Sequence, residues 1–438
     1  MKLFQYFERG SLGRNAIWAF AGQGLSLILQ GAYFILLARL LGSHQYGIFV
    51  GAAALVAIVS QYSSLGSGMV LIRYVSHDRE KFSQFWGNAI LTTFVVGILL
   101  ILLMWLTGGL LIGAQSASIL VLVALGECIC AKLTECAGQA FQAFEKMQTT
   151  AMLTALTSAM RLFAVSFLMF TLQHATASQW AWASFCVSSL SAIAAILTVT
   201  LYLGNPTFNL KHVFENVAEG FGFSFASSMT STYNDLDKTM LSRYGFAEAN
   251  GAYSVAYRIV DFSCVPMRSL HFAALPRFFK KGANGISECI GFTWKVVGKT
   301  LPYALFAALM LYLLAGIVPS IVGRSFGDSV YALRWLCLLP VFRSLHLSAG
   351  DTLTGIGQQR YRTMSQVLAA AANFALNLYL IPRYSWRGAA WSSLITDGLL
   401  AAANWFVLSR LVAKVENLTS NLSGDTQPAL SSLTEIRS

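Results

Sequence analysis

The amino-acid sequence predicts an all-α polytopic membrane protein of about twelve transmembrane helices, and three observations predict it. Of 438 residues, 56% are hydrophobic and only 11% are charged, where a soluble protein carries about 25% charged residues. The apolar residues fall in long blocks with the charges gathered between them. A bilayer demands that pattern, because a span needs about 20 apolar residues whose backbone is satisfied as helix. Finally, lysine and arginine divide unevenly between alternate connections.

In chain order, spans are expected at 15–41, 47–70, 87–112, 117–143, 149–172, 179–203, 217–243, 250–275, 296–320, 329–354, 364–382 and 388–409. The first block follows Lys2, Arg9 and Arg14 and runs past the length of a signal-peptide core, so it is read as a span. Segment 217–243 is the most polar, with Glu219, Asp235, Asp237 and Lys238. The termini and the loops after even-numbered spans hold eighteen Lys and Arg, and the opposite loops hold five, Arg39, Arg243, Arg324, Arg383 and Arg387. The positive-inside rule then places both termini in the cytoplasm. The organisation expected is an N-terminal six-helix bundle at 1–203, a cytoplasmic linker at 204–216, a C-terminal six-helix bundle at 217–410 and a disordered cytoplasmic tail at 411–438.

The two halves resemble each other at an offset of 204 residues. Leu37-Ala38-Arg39, then Gly47 and Phe49, aligns with Leu241-Ser242-Arg243, then Gly251 and Tyr253. Leu71 and Arg73-Tyr74 align with Leu275 and Arg277-Phe278. Arg39, Arg73, Arg243 and Arg277 thus end corresponding spans. Repeated halves mark transporters, which handle substrate near the interface of the repeats.

The formal net charge of +11 lacks the basic run of a nucleic-acid patch, which excludes that class of partner. Cys128 and Cys130, two apart, point to different sides of a helix. The seven cysteines read as small core residues. Neither a P-loop nor a His-Glu-x-x-His sequence occurs, and the six histidines are scattered, with His346 three residues after Arg343. The chain therefore reads as a transporter, not an enzyme, with no cofactor and no metal site.

Ionisable residues inside spans are costly and face a cavity or a partner. Lys132, Glu135, Gln139, Gln142 and Lys146 fall within roughly 80° of arc on the fourth span. Gln23, Ser26 and Gln30 share a face of the first span, Asp235 and Lys238 are i, i+3 on the seventh, and Arg258, Asp261 and Arg268 share an arc of the eighth. Lys132 with Glu135, and Arg258 with Asp261, also fit simple ion pairs. As a set, seven in-span bases imply a cationic cavity for an anionic substrate, since Arg and Lys match phosphate oxygens. Lys132, Arg161, Lys238, Arg258, Arg268 and Arg343, with Gln23 and Gln30, are the candidate substrate contacts.

Further residues carry a resemblance. Asn15-Ala16-Ile17-Trp18, Gly22-Gln23, Leu37-Ala38-Arg39-Leu40-Leu41-Gly42 and Tyr46-Gly47-Ile48-Phe49 resemble the opening of the polysaccharide-type flippases. These are the Wzx-like members of the multidrug/oligosaccharidyl-lipid/polysaccharide exporter superfamily. Leu71-Ile72-Arg73-Tyr74, Phe141-Gln142-Ala143-Phe144-Glu145-Lys146 and Asp237-Lys238 with Gly251-Ala252-Tyr253-Ser254-Val255-Ala256-Tyr257 resemble later segments in the same order. The resemblance spans nearly all of the chain to about residue 410.

It implies two six-helix bundles around a central cavity, working by alternating access in the bacterial inner membrane. The implied substrate is an undecaprenyl-pyrophosphate-linked oligosaccharide for O-antigen, capsule or exopolysaccharide synthesis. The implied partners are that lipid-linked oligosaccharide, membrane lipids, and the polymerase and glycosyltransferases of the same pathway, with the chain itself a monomer. The first span carries Gln23 and Gln30 but no acid, so coupling to protons or sodium would fall to Glu127, Glu135, Asp235, Asp237 or Asp261. One rival is a multidrug exporter of the superfamily, which needs an acidic cavity for cationic drugs. Another is a membrane-embedded glycan polymerase or ligase, which needs a large extramembrane loop carrying acids or histidines.

Overall fold

A computed structural model describes residues 11–172, 174–208 and 217–434, with the side chains of 11–23, 218 and 416–434 outside the description. Among the described residues the chain is helical throughout, with no strand. The helices are α1 (Ser11–Val59), α2 (Ser67–Val75), α3 (Phe82–Leu111), α4 (Ala114–Ala124), α5 (Lys132–Ala143), α6 (Met147–Thr171) and α7 (Ala177–Tyr202). There follow α8 (Val217–Arg243), α9 (Ala247–Ser263), α10 (Val265–Ala283), α11 (Ile286–Leu314), α12 (Val318–Val322), α13 (Ser329–Leu336), α14 (Leu339–Gly355), α15 (Gln359–Tyr384) and α16 (Trp386–Thr434).

Eight described helices are long and apolar enough to cross a membrane, which makes the chain a multi-pass membrane protein. One of them, Gly24–Tyr62, joins the two spans expected at 15–41 and 47–70. They meet at a kink at Gly42, whose φ of 66° suits a residue without a Cβ. The expected spans 217–243, 250–275 and 329–354 also form helix but are not among the eight. Two of these are broken. Cys264 separates α9 from α10 and Leu338 precedes α14, each with a proline in the first turn of the helix that follows. Proline is tolerated there because its missing N–H would have no intrahelical partner. The backbone of α16 continues as helix to Thr434, through most of the segment read from the sequence as a tail. Most of the expected linker, 209–216, lies outside the described residues.

The chain divides into two compact units. The first comprises residues 1–256, 316–332 and 377–389, so α8 and most of α9 belong with the N-terminal half. Among the described residues two apolar clusters form its core. One joins α1, α4 and α7 through residues such as Ala52, Val56, Leu120 and Ala181. The other joins α2, α3, α5 and α7 through Leu71, Trp86, Phe141 and Val199. At one end of this unit α1 and α9 cross at their backbones. A Cβ placed on Gly47 would lie 1.7 Å from the Ala247 carbonyl oxygen, and one on Gly251 would lie 2.0 Å from the Ser43 carbonyl oxygen. Residues 43 and 247, and 47 and 251, are pairs that the 204-residue offset aligns. The aligned positions therefore meet each other reciprocally. Small residues every fourth position let membrane helices approach this closely.

The second unit comprises residues 257–315, 333–376 and 390–438. Ala274, Phe278, Cys289 and Val296 form an apolar cluster between α10 and α11. Elsewhere it is held by buried hydroxyl and amide contacts. Thr293 and Thr352 meet at 2.6 Å, Ser344 donates to Thr300 at 2.8 Å, and Asn373 donates to Ser392 and Thr396 at 3.3 and 3.2 Å. Among hydrocarbon chains burial adds little between helices, so close packing and interhelical hydrogen bonds hold them.

Candidate functional site

Polar groups gather in two places within the first unit. The fourth expected span contains a π-helical stretch, Leu125–Ala131, before α5 begins at Lys132. Such stretches occur often at functional sites. Lys132, nearly buried, donates to Glu135 at 2.8 Å and to Gln61 at 3.2 Å. Gln139 donates to Glu135 at 3.4 Å, and Arg161 of α6 pairs with Glu127 at 3.0 Å. Both bases on this side are thus balanced by acids. The second group lies between α8 and α9. Lys238 pairs with Asp235 at 3.0 Å, while buried Asp237 accepts from the Lys238 backbone N–H at 2.7 Å and from the Tyr253 hydroxyl. Asn250 ties the group to the helix crossing by donating to the carbonyls of Gly47 and Lys238 at 3.0 and 3.1 Å.

Within the second unit, Arg343 of α14 is 5% exposed and lies between two carboxylates. Its guanidinium meets Asp261 at 2.6 Å and Asp397 at 3.5 Å and donates to the Tyr257 hydroxyl at 2.7 Å. His346 lies 3.9 Å from Asp397. Asp261 therefore pairs with Arg343, and not with Arg258 as its neighbourhood in sequence allows. A separate clasp joins α10, α14 and α15: Asp351 meets His271 at 2.8 Å and Arg362 at 3.2 Å.

Arg258 and Arg268 differ from the other in-span candidates. Both are exposed, and neither has an ion pair among the described residues. The Arg258 guanidinium stands over the Phe262 ring at 5.7 Å, and Arg268 donates to the Asp261 carbonyl at 2.8 Å. The expected cationic set therefore separates into four bases with acid partners, Lys132, Arg161, Lys238 and Arg343, and two without. Gln30 is half-buried, and the Gln23 side chain lies outside the described residues. At the helix ends Arg39 donates to the carbonyls of Ser320 and Ile321, Arg73 pairs with Glu219 at 2.6 Å, and Arg243 and Arg277 are exposed. Asp351, Asp397 and Arg362 escaped the sequence reading. The two aspartates satisfy the criterion that selected Asp261, an acid within an expected span. Among the described residues no group of three or more His, Cys, Asp or Glu could hold a metal ion.

The fold is that of the transporters of the multidrug/oligosaccharidyl-lipid/polysaccharide (MOP) superfamily. It is similar to an inward-facing multidrug resistance MATE family transporter, with a TM-score of 0.73, 13% identity, and 90% of this chain and 96% of that chain covered. It is also similar to an outward-facing transporter of the same family, with a TM-score of 0.60, 13% identity and coverage of 93% and 98%. A third similar structure is a MOP superfamily transporter from Pyrococcus furiosus described as having reverse polarity of its binding pocket. Its TM-score is 0.60, its identity 14%, and its coverage 93% and 96%. No curated protein matches the sequence. The sequence profile of the family described as "Polysaccharide biosynthesis protein" matches residues 12–280, and the chain belongs to that family.

Proposed function

We propose that the protein is a flippase that carries an undecaprenyl-pyrophosphate-linked oligosaccharide repeat unit across the bacterial inner membrane for surface polysaccharide synthesis. The observation that carries this reading is the contrast among the in-span bases. Arg258 and Arg268 are exposed and free of ion pairs among the described residues, whereas Lys132, Arg161, Lys238 and Arg343 each meet a carboxylate. Two uncompensated guanidiniums in a polytopic chain suit the oxygens of a diphosphate, which they can grip in bidentate fashion. Family membership supports a polysaccharide precursor as cargo. Transport by alternating access, cytoplasmic termini and a pathway polymerase and glycosyltransferases as partners belong to the same proposal. A multidrug exporter would need an acidic surface in place of Arg258 and Arg268.

Coupling to a proton or sodium ion is assigned to the places where two carboxylates share one base. These are Asp235 and Asp237 around Lys238, and Asp261 and Asp397 around Arg343. Glu127 and Glu135 each meet a single base and have less need of a further cation. The test places purified protein in liposomes with a labelled undecaprenyl-pyrophosphate oligosaccharide and follows exposure of the sugar on the far leaflet. Acceleration that is lost when Arg258 and Arg268 are both replaced by Ala is expected. Equal rates in the variant and wild type would refute the assignment of the diphosphate site.

A further inference from the structure

Within the second unit, one face of α11 carries two bases at one end and apolar side chains beyond them. Lys295, Lys299, Pro302, Phe306, Leu309 and Leu313 are exposed and fall within roughly 80° of arc. The last three are apolar, as expected of a face against acyl chains. From Lys299 to Leu313 the helix rises about 21 Å, most of a hydrocarbon core about 30 Å thick. A face that meets acyl chains meets headgroups at its end, and Lys295 and Lys299 stand at that end. Trp294, exposed beside them, marks the same depth, since tryptophan favours the membrane interface.

Neither lysine has an ion pair or hydrogen bond among the described residues. The nearest acid in sequence, Glu288, pairs with Lys281. On the neighbouring helices Asp351 of α14 and Asp397 of α16 are buried and already meet bases. Among the described residues the exposed charges that α16 adds beyond Trp405 are Arg410 and Lys414, also bases. The surface beside the lysines is a notch. Gly291 and Gly298 form its floor, and a Cβ on either would meet nothing within 4 Å. Around the helix axis both fall between Trp294 on one side and the lysines on the other. The Trp294 ring centroid lies 5.1 Å from that of Trp405, whose Nε1–H donates to the Leu345 carbonyl at 3.1 Å, so this wall is fixed. Pro302 has no N–H for the Gly298 carbonyl four residues earlier, which leaves an acceptor in the floor.

We propose that this notch binds an anionic phospholipid whose headgroup bears hydroxyls, of the phosphatidylglycerol type. The two ammonium groups take the phosphate, the Gly298 carbonyl accepts from a headgroup hydroxyl, and the acyl chains run along Phe306, Leu309 and Leu313. A choline headgroup would bring a cation toward the lysines and no hydroxyl for the carbonyl.

The experiment follows lipid binding to the detergent-purified full chain by native mass spectrometry, with phosphatidylglycerol and phosphatidylcholine of the same acyl chains. Phosphatidylglycerol should bind at least tenfold more tightly. Lys295→Gln and Lys299→Gln should each remove about fivefold of that preference, the worth of one base near an anionic headgroup. Gly298→Leu should fill the notch and weaken phosphatidylglycerol binding with both lysines in place, and an unchanged melting midpoint separates blocked binding from lost fold. Arg243→Gln removes an exposed base on another helix and should leave the preference intact. Equal binding of the two lipids, a preference that survives replacement of both lysines, or an equal loss in Arg243→Gln would overturn the site. So would wild-type binding by Gly298→Leu, which would reduce the lysines to diffuse surface charge. Undecaprenyl pyrophosphate, titrated in the same assay, distinguishes the other source of a lipid phosphate. If the lysine variants lose its binding and keep that of phosphatidylglycerol, the face belongs to the lipid-linked diphosphate and the proposal is overturned.

Discussion

The crossing of α1 and α9 gives the sharpest expectation. Replacing Gly47 by Ala puts a methyl group 1.7 Å from the Ala247 carbonyl oxygen, 2.7 Å from its carbonyl carbon and 2.8 Å from the Gly251 nitrogen. A carbon and a carbonyl oxygen ordinarily rest roughly 3.3 Å apart even at close helix crossings. The helices must therefore separate by more than an ångström. All three atoms belong to backbone, so no rotamer change relieves the clash. Separation also pulls the Asn250 amide from the Gly47 carbonyl, a hydrogen bond of 3.0 Å. Overpacking of a close-packed site costs about 1–3 kcal/mol, and a contact with no flexible neighbour belongs at the upper end. The lost hydrogen bond adds roughly 1 kcal/mol. A loss of about 3–4 kcal/mol lowers the melting midpoint of a chain this size by roughly 3–5 °C. Thermal unfolding of the detergent-purified protein, followed by tryptophan fluorescence, reads this directly. Gly298→Ala is the control, because a Cβ there meets nothing within 4 Å. A Gly47→Ala protein that melts with wild type would refute the backbone crossing.

Gly251→Ala should reproduce the defect, because its Cβ would lie 2.0 Å from the Ser43 carbonyl oxygen; near-normal melting of that variant alone would show the crossing to be one-sided. Asp351→Asn should destabilise the second unit by roughly 3 kcal/mol, since it leaves the Arg362 charge without its carboxylate. Unchanged thermal unfolding would show that the clasp of His271, Asp351 and Arg362 contributes nothing. Glu127→Gln should cost more than the paired change Glu127→Leu with Arg161→Leu, because one partner alone leaves a half-buried charge uncompensated. A double-mutant cycle in the same melting assay checks this, and strict additivity would count against the pair.

The helical class and most helix boundaries were legible in the sequence, because a bilayer imposes a length and an apolar composition that the chain shows residue by residue. The sequence also located the polar positions: Lys132 with Glu135, and Asp235 with Lys238, sit three apart on one helix and pair as their spacing allows. Helical periodicity reaches only that far. Asp261 pairs with Arg343 across 82 residues, Glu127 with Arg161 across 34, and Asp351 with His271 across 80. No local rule chooses those partners, since they depend on which helix faces lie against each other. For the same reason the sequence alone read all six in-span candidate bases as one cationic set, while packing neutralised four and left Arg258 and Arg268 exposed. The internal repeat appeared as matched residues 204 apart, but only the folded chain brought Gly47 and Gly251 against one another, because close backbone approach is a property of two helices and not of either one.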